Sequence, residues 1–118
     1  MENFTLNFTI TNLMFTRDLE TPNSAKFRST ERIMRHYIEP LLRRSSIGPH
    51  FSGCKVTGFR PGRHRDDTGV DVTCSYKDNA NLARFDREQV YQELSTMTKG
   101  GTRLGHYSLD PNSLYVNG

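Results

Sequence analysis

The two cysteines, Cys54 and Cys74, are the residue pair with the clearest chemical potential in the chain. In an antiparallel hairpin that sets Val56 opposite Val72, the same register sets the two cysteines opposite each other on one face. Directly opposed residues have Cβ atoms about 4.5–5.5 Å apart, close to the ~3.5–4.5 Å of a disulfide. The sequence therefore predicts a disulfide and an oxidising compartment. Two buried free thiols are the alternative, because unpaired cysteine is a common core residue.

Two sequons for N-linked glycosylation lie near the N-terminus. They begin at Asn3 and Asn7, and each asparagine is followed by Phe and Thr. Residues 4–11 alternate strictly between apolar and polar side chains, so both asparagines fall on the polar face of a predicted strand. Because one face of an antiparallel sheet can stay open to solvent, this face has room for a glycan. We expect at least one sequon to be modified if the domain is secreted.

Other residue patterns argue against catalysis and metal binding. The histidines lack the spacing of metal ligands, and the glycines mark strand bends and turns rather than a phosphate-binding loop. No serine stands in a nucleophile-elbow pattern, and no cysteine–histidine pair is indicated. We therefore expect no catalytic residue, no metal and no cofactor. The histidines are His36, His50, His64 and His106.

Composition and charge restrict the class of protein and of partner. The 118 residues, with 34% hydrophobic and 25% charged, suit one domain over residues 1–118. A net charge of +3 permits an anionic partner without requiring one. The clusters Arg43-Arg44 and Arg60 to Arg65 could bind sulfated glycans or remain solvated surface. No apolar run approaches the ~20 residues of a membrane-spanning helix, and the N-terminus lacks a signal-peptide pattern, so we expect membrane attachment only through the parent chain.

The elements that must position these residues are four strands and two helices. A helix follows the first strand and begins within residues 21–24, and Pro40 should kink or interrupt it. The remaining elements are strands at residues 51–60 and 69–76, a helix capped by Asp86 and ended by Gly100, and an extended segment at residues 107–116 that is broken at residues 110–112. The order β-α-β-β-α-β predicts an α+β fold, a ferredoxin-like sandwich with a four-stranded antiparallel sheet and both helices on one face.

RNA-recognition motifs share this element order, so an RNA-binding module is the main alternative. Residues 8–13 resemble the shorter RNA-binding signature, but Thr9 stands where a base-stacking aromatic is needed. The strand at residues 69–76 would place Asp71, Thr73 and Ser75 on the open face. An acidic surface without aromatics repels a phosphate backbone, so we expect no nucleic-acid partner.

Several segments, taken in their order along the chain, resemble the SEA domain, an extracellular module of membrane-tethered mucins and other surface proteins. They are residues 7–13, the loop at 54–74, residues 86–88 with Tyr91 and residues 94–95, and the tail at 113–118. The resemblance implies a non-catalytic spacer and interaction module in a cell-surface or shed mucin ectodomain, where such domains are sometimes repeated. It also implies covalently attached N-glycans, extracellular carbohydrate or protein partners, and a monomer as the isolated domain.

The one chemical activity of the family is self-cleavage in the turn between the second and third strands. Self-cleaving members follow Phe-Arg-Pro-Gly with Ser, whose hydroxyl attacks the preceding strained carbonyl to form an ester that water resolves. This chain has Arg63 at that position, a longer turn, and its nearest hydroxyl at Thr68, so we expect an uncleaved chain. The degenerate cleavage loop consists of Phe59, Arg60, Pro61, Gly62 and Arg63.

Overall fold

The computed structural model describes residues 1–77 and 85–118, and its element order confirms the predicted α+β fold. In chain order the elements are β1 (Glu2–Ile10), α1 (Arg17–Glu20), α2 (Ala25–Arg43), a 3₁₀ turn (Gly48–His50), β2 (Phe51–Pro61), β3 (Thr68–Tyr76), α3 (Arg87–Met97), β4 (Arg103–Leu104), β5 (Tyr107–Ser108) and β6 (Tyr115–Asn117). The strands β2, β3, β1 and β6 form one antiparallel sheet in that spatial order, and β4 pairs with β5 in a separate hairpin.

The alternation of β1 decides which face of the sheet is buried. Its even-numbered side chains from Phe4 to Ile10 are buried, while the odd-numbered side chains keep contact with solvent. The helices supply the other half of the core through Phe27, Met34, Ile38, Leu42, Val90 and Leu94. Both helices therefore lie on one face of the sheet. The other, polar face is called the open face below.

Both predicted helix starts are confirmed by side-chain caps. The Ser24 hydroxyl oxygen accepts a hydrogen bond from the Phe27 N–H at 3.0 Å at the start of α2. The Asp86 carboxylate accepts one from the Gln89 N–H at 3.1 Å at the start of α3. Each cap satisfies an amide that has no partner within its helix.

Pro40 does not interrupt α2, so the predicted interruption was wrong: the helix continues through the proline to Arg43. Pro40 lies in the last turn of the helix, where the missing N–H removes one hydrogen bond and little helix follows. Its carbonyl still accepts the Arg44 N–H at 3.3 Å, which closes the helix end.

The predicted last extended segment is divided between two sheets. β5 folds back on β4 through a tight turn at Gly105, whose φ of 59° is the left-handed region that glycine tolerates. After a break at residues 110–113, β6 joins the main sheet beside β1, with Val116 opposite Leu6. Residues 107–108 therefore belong to the small hairpin, and residues 115–117 form the edge strand of the main sheet.

Candidate functional site

The Cys54–Cys74 disulfide joins β2 to β3, as the register predicted. The two cysteines are directly opposite in the hairpin, with their Cα atoms 4.0 Å apart. The Cys54 N–H does not point to β3; it donates to a Glu39 carboxylate oxygen at 2.9 Å. This makes the cysteines a non-hydrogen-bonded pair, the antiparallel position where the two backbones approach most closely. The bond therefore holds together the hairpin that carries the β2–β3 turn.

Residues 62–67 form the β2–β3 turn, which is closed by its own backbone and tied to the segment after β1. The Gly62 N–H donates to the Asp67 carbonyl at 3.2 Å, and the Leu13 N–H donates to the Asp66 carbonyl at 3.1 Å. A side chain at Gly62 would bring its Cβ within 2.4 Å of the Asp67 Cβ, so the motif glycine is needed here for close approach. The turn is therefore fixed both by the hydrogen bond between its two ends and by the one from Leu13.

This turn presents no hydroxyl that could act as a nucleophile. The exposed side chain after Gly62 is Arg63, and the nearest hydroxyl, that of Thr68, is fully buried and donates to the Leu13 carbonyl at 2.5 Å. Within residues 1–77 and 85–118, the one non-glycine residue with a positive φ is Lys99, outside the turn. No residue of the turn is thus held in a left-handed conformation.

The two sequon asparagines both lie on the open face, as expected, but their surroundings differ. Asn3 is exposed, and its side-chain oxygen accepts a hydrogen bond from the Ser75 hydroxyl at 2.9 Å. The Nδ2 atom of Asn7, the atom to which a glycan would be attached, donates to the Asp71 carboxylate at 2.6 Å. A glycosylated amide nitrogen keeps one N–H, so this hydrogen bond is compatible with modification. Asn3 is the more open of the two positions.

Asp71 is at the centre of a charged network on the open face. The Arg60 guanidinium donates from Nε and Nη2 to the two carboxylate oxygens, each at 2.9 Å. This hydrogen bonding, assisted by the one from Asn7, lowers the pKa of Asp71 from its ordinary value despite partial burial, and it raises the pKa of Arg60.

The expectation of an acidic open face without aromatics was wrong in two respects. Arg60 compensates the charge of Asp71, and Tyr115, half exposed, alternates with buried Val116 and lies beside Asn7. Tyr115 belongs to β6, and the sequence did not show that β6 lies next to β1 in the sheet. Thr9 remains where an RNA-binding domain would need an aromatic.

Sequence reasoning missed two glutamates that cover the outer edge of β2. The Val56 N–H donates to Glu31 at 3.2 Å, just as the Cys54 N–H donates to Glu39. At the opposite edge, Arg87 donates to the Val116 carbonyl at 3.4 Å. Such covering satisfies edge groups that would otherwise recruit a further strand. The sequence signal was weak: Glu31 and Glu39 are eight positions apart, which places them near one side of a helix, but the sequence does not show that this side faces β2.

The histidines do not form a metal centre. His36 and His106 both pack on the Tyr37 ring, with centroids 6.1 and 6.3 Å away, while His64 is exposed in the turn. Among the residues that the structure describes, no three His, Cys, Asp or Glu side chains are grouped so that they could hold a metal ion. None of the described helices is long and apolar enough to cross a membrane.

Comparison with known protein families matches residues 2–110 to the SEA domain. The match spans β1 with both sequons, the disulfide, the β2–β3 turn and both packing helices. SEA domains are generally extracellular, non-catalytic modules of membrane-associated proteins. Since the matched region is nearly the whole chain and the sheet order agrees with it, this chain belongs to the SEA domain family.

Proposed function

We propose that this SEA domain is an extracellular spacer and interaction module of a cell-surface mucin, similar to the SEA modules of the ovarian-cancer-antigen mucin. It presents N-glycans and does not cleave itself. The observation that carries the proposal is the β2–β3 turn, where Arg63 stands in place of a nucleophile and the Thr68 hydroxyl is buried in a hydrogen bond.

Self-cleavage needs a hydroxyl on the residue after the motif glycine and strain across the bond that joins them. Arginine cannot form the ester intermediate, because a guanidinium is not an oxygen nucleophile. The turn also has two features that argue against strain: the Gly62 N–H donates to the Asp67 carbonyl, and no residue between them has a positive φ. We therefore expect neither requirement to be met, and each can be tested separately.

The open face supports glycan presentation. Asn3 and Asn7 lie on the side of the sheet away from both helices, so attached sugars would not displace core side chains. Their strand β1 is central in the sheet, which gives the sugars a rigid base. A spacer also benefits from resistance to strand addition, and Glu31, Glu39 and Arg87 cover groups on the two sheet edges. These features support a monomeric domain within a longer glycosylated chain.

The test is the intact mass of the domain secreted from glycosylating cells, measured under denaturing, non-reducing conditions. We expect one unbroken chain, two hydrogens lighter than the reduced form, with one or two N-glycans. The Asn3→Gln/Asn7→Gln variant should lose all glycan mass. Two fragments with a break in residues 60–70 would refute the absence of cleavage. A bare chain with free thiols would refute the extracellular placement and favour the RNA-binding alternative.

The Arg63→Ser variant separates the two requirements for cleavage. We expect it to remain one chain, because the hydroxyl is restored but the turn stays relaxed. Cleavage of this variant would show that the missing nucleophile alone explains the intact wild type and that the strain argument is wrong. Arg65→Ser is the matched control, because it changes the same residue type in the same turn at a position that does not follow the glycine.

A further inference from the structure

A row of basic side chains follows one side of α2 along the β2 edge of the sheet. This basic stripe consists of Arg28, Arg32, Arg35 and Arg43 on α2. The arginines follow the spacing i, i+4, i+7 and i+15, which keeps them on one side of a helix. Arg28 and Arg35 line the same surface groove as Cys54 and Val56 of β2, so the stripe lies along the β2 edge.

The acidic residues within this row are turned inward. Glu31 and Glu39 accept the N–H groups of β2, and their side chains are only 17% and 20% exposed. Glu31 forms an ion pair with Arg35 at 3.0 Å and Glu39 forms one with Arg43 at 3.8 Å, but the arginine side chains are the more exposed partners, at 42% and 56%. Every charged side chain of α2 that is well exposed is basic. A ligand that approaches α2 from solvent therefore meets guanidinium groups first.

The stripe has more positive than negative charge. Its four guanidinium groups exceed the two carboxylates beside them, Glu31 and Glu39, by two charges. The arginines extend over about 22 Å of helix, at 1.5 Å per residue. A long charged row on one edge attracts an extended polyanion more effectively than a single small ion.

From this geometry we infer that the basic stripe binds a linear sulfated polysaccharide of the glycosaminoglycan class, which lies along α2. Guanidinium groups pair with oxyanions through two parallel hydrogen bonds, a geometry that suits sulfate. The choice of a sulfated sugar over a nucleic acid rests on the extracellular placement proposed above. The sequons lie on the open face, away from the helices, so N-glycans leave the stripe accessible.

The test is heparin binding to the purified domain, measured by titration calorimetry at several NaCl concentrations. The variant is Arg28→Gln/Arg32→Gln, because both residues are exposed and neither guanidinium has an ion pair or hydrogen bond in the described part of the chain. We expect its affinity to fall about tenfold at ~0.15 M NaCl. The slope of log K against log[salt] should become shallower by about one to two, since two ionic contacts are lost.

The matched control is Arg63→Gln/Arg65→Gln, which removes the same charge from the β2–β3 turn and should change the affinity less than about threefold. Fully desulfated heparin should not bind. The inference is overturned if the wild type does not bind heparin, if the turn variant loses as much affinity as the stripe variant, or if single-stranded RNA binds more tightly than heparin. Intact mass and heparin binding are separate readouts, so failure of this inference is distinguishable from failure of the proposed function.

Discussion

Removal of the Cys54–Cys74 bond should lower the free energy of unfolding by about 3 kcal/mol. The cysteines are 20 positions apart, and a loop of that size restricts the unfolded chain by about 11 cal/mol/K, or ~3 kcal/mol at 25 °C. At about 2.1 cal/mol/K per residue, 118 residues have an unfolding entropy near 250 cal/mol/K, so the melting temperature should fall by about 12 °C. Cys54→Ala/Cys74→Ala is the suitable variant, because serine would bury hydroxyls at positions 7% and 0% exposed.

The assay is urea unfolding followed by circular dichroism for the oxidised wild type, the reduced wild type and the double alanine variant. The two forms without the bond should have similar midpoints. Both should have a larger m-value than the oxidised protein, because their unfolded chains expose more surface. A loss below about 1 kcal/mol in both forms would refute the chain-entropy argument. A loss confined to the alanine variant would instead assign the effect to packing of the buried sulfur atoms.

Three further substitutions test contacts seen only in the folded chain. Asp71→Asn should lower the free energy of unfolding by about 1 kcal/mol at pH 7. Arg60 holds the pKa of Asp71 below its ordinary value of 3.8. The stabilisation from the ionised Asp71 is therefore complete above pH 3.8 and is lost as the pH falls through the folded-state pKa. Thermal unfolding of both proteins between about pH 2 and pH 7 checks it, and a constant difference would contradict it. Glu39→Ala should lower the free energy of unfolding by about 1–2 kcal/mol in urea and promote self-association in sedimentation. Glu39→Gln keeps an acceptor for the β2 N–H, so its loss of stability should be much smaller. Equal losses in the two variants would show that the hydrogen bond to β2 is unimportant. Gly105→Ala should cost at least about 2 kcal/mol, because its φ is 59° and the new Cβ would lie 2.4 Å from the Tyr37 ring; a melting temperature equal to that of the wild type would refute the tight packing of this turn.

The features that depend on neighbouring residues were predicted well. The alternation of residues 4–11 gave the buried and open faces of β1, and Ser24 and Asp86 marked the helix starts. The hairpin register predicted Cys54 opposite Cys74, and the sheet has this pairing. Periodicity and capping act over a few residues, and a hairpin pairs segments joined by a short turn. The effect of Pro40 was misjudged, because the proline falls so close to the helix end.

The sequence by itself determined the fold class, the opposed positions of the two cysteines and the sequon face, and its resemblance to the SEA family marked Arg63 as the position without a nucleophile. The structure added that the two opposed cysteines are joined. Only the tertiary structure decided that Glu39 reaches the edge of β2, that Tyr115 lies beside Asn7, and that the cations of α2 form one outward-facing row. These contacts join elements that are far apart in the sequence or depend on how a helix is rotated against the sheet. The rotation of α2 about its axis and its distance from the edge of β2 follow from packing of the whole core, which no local pattern of residues specifies.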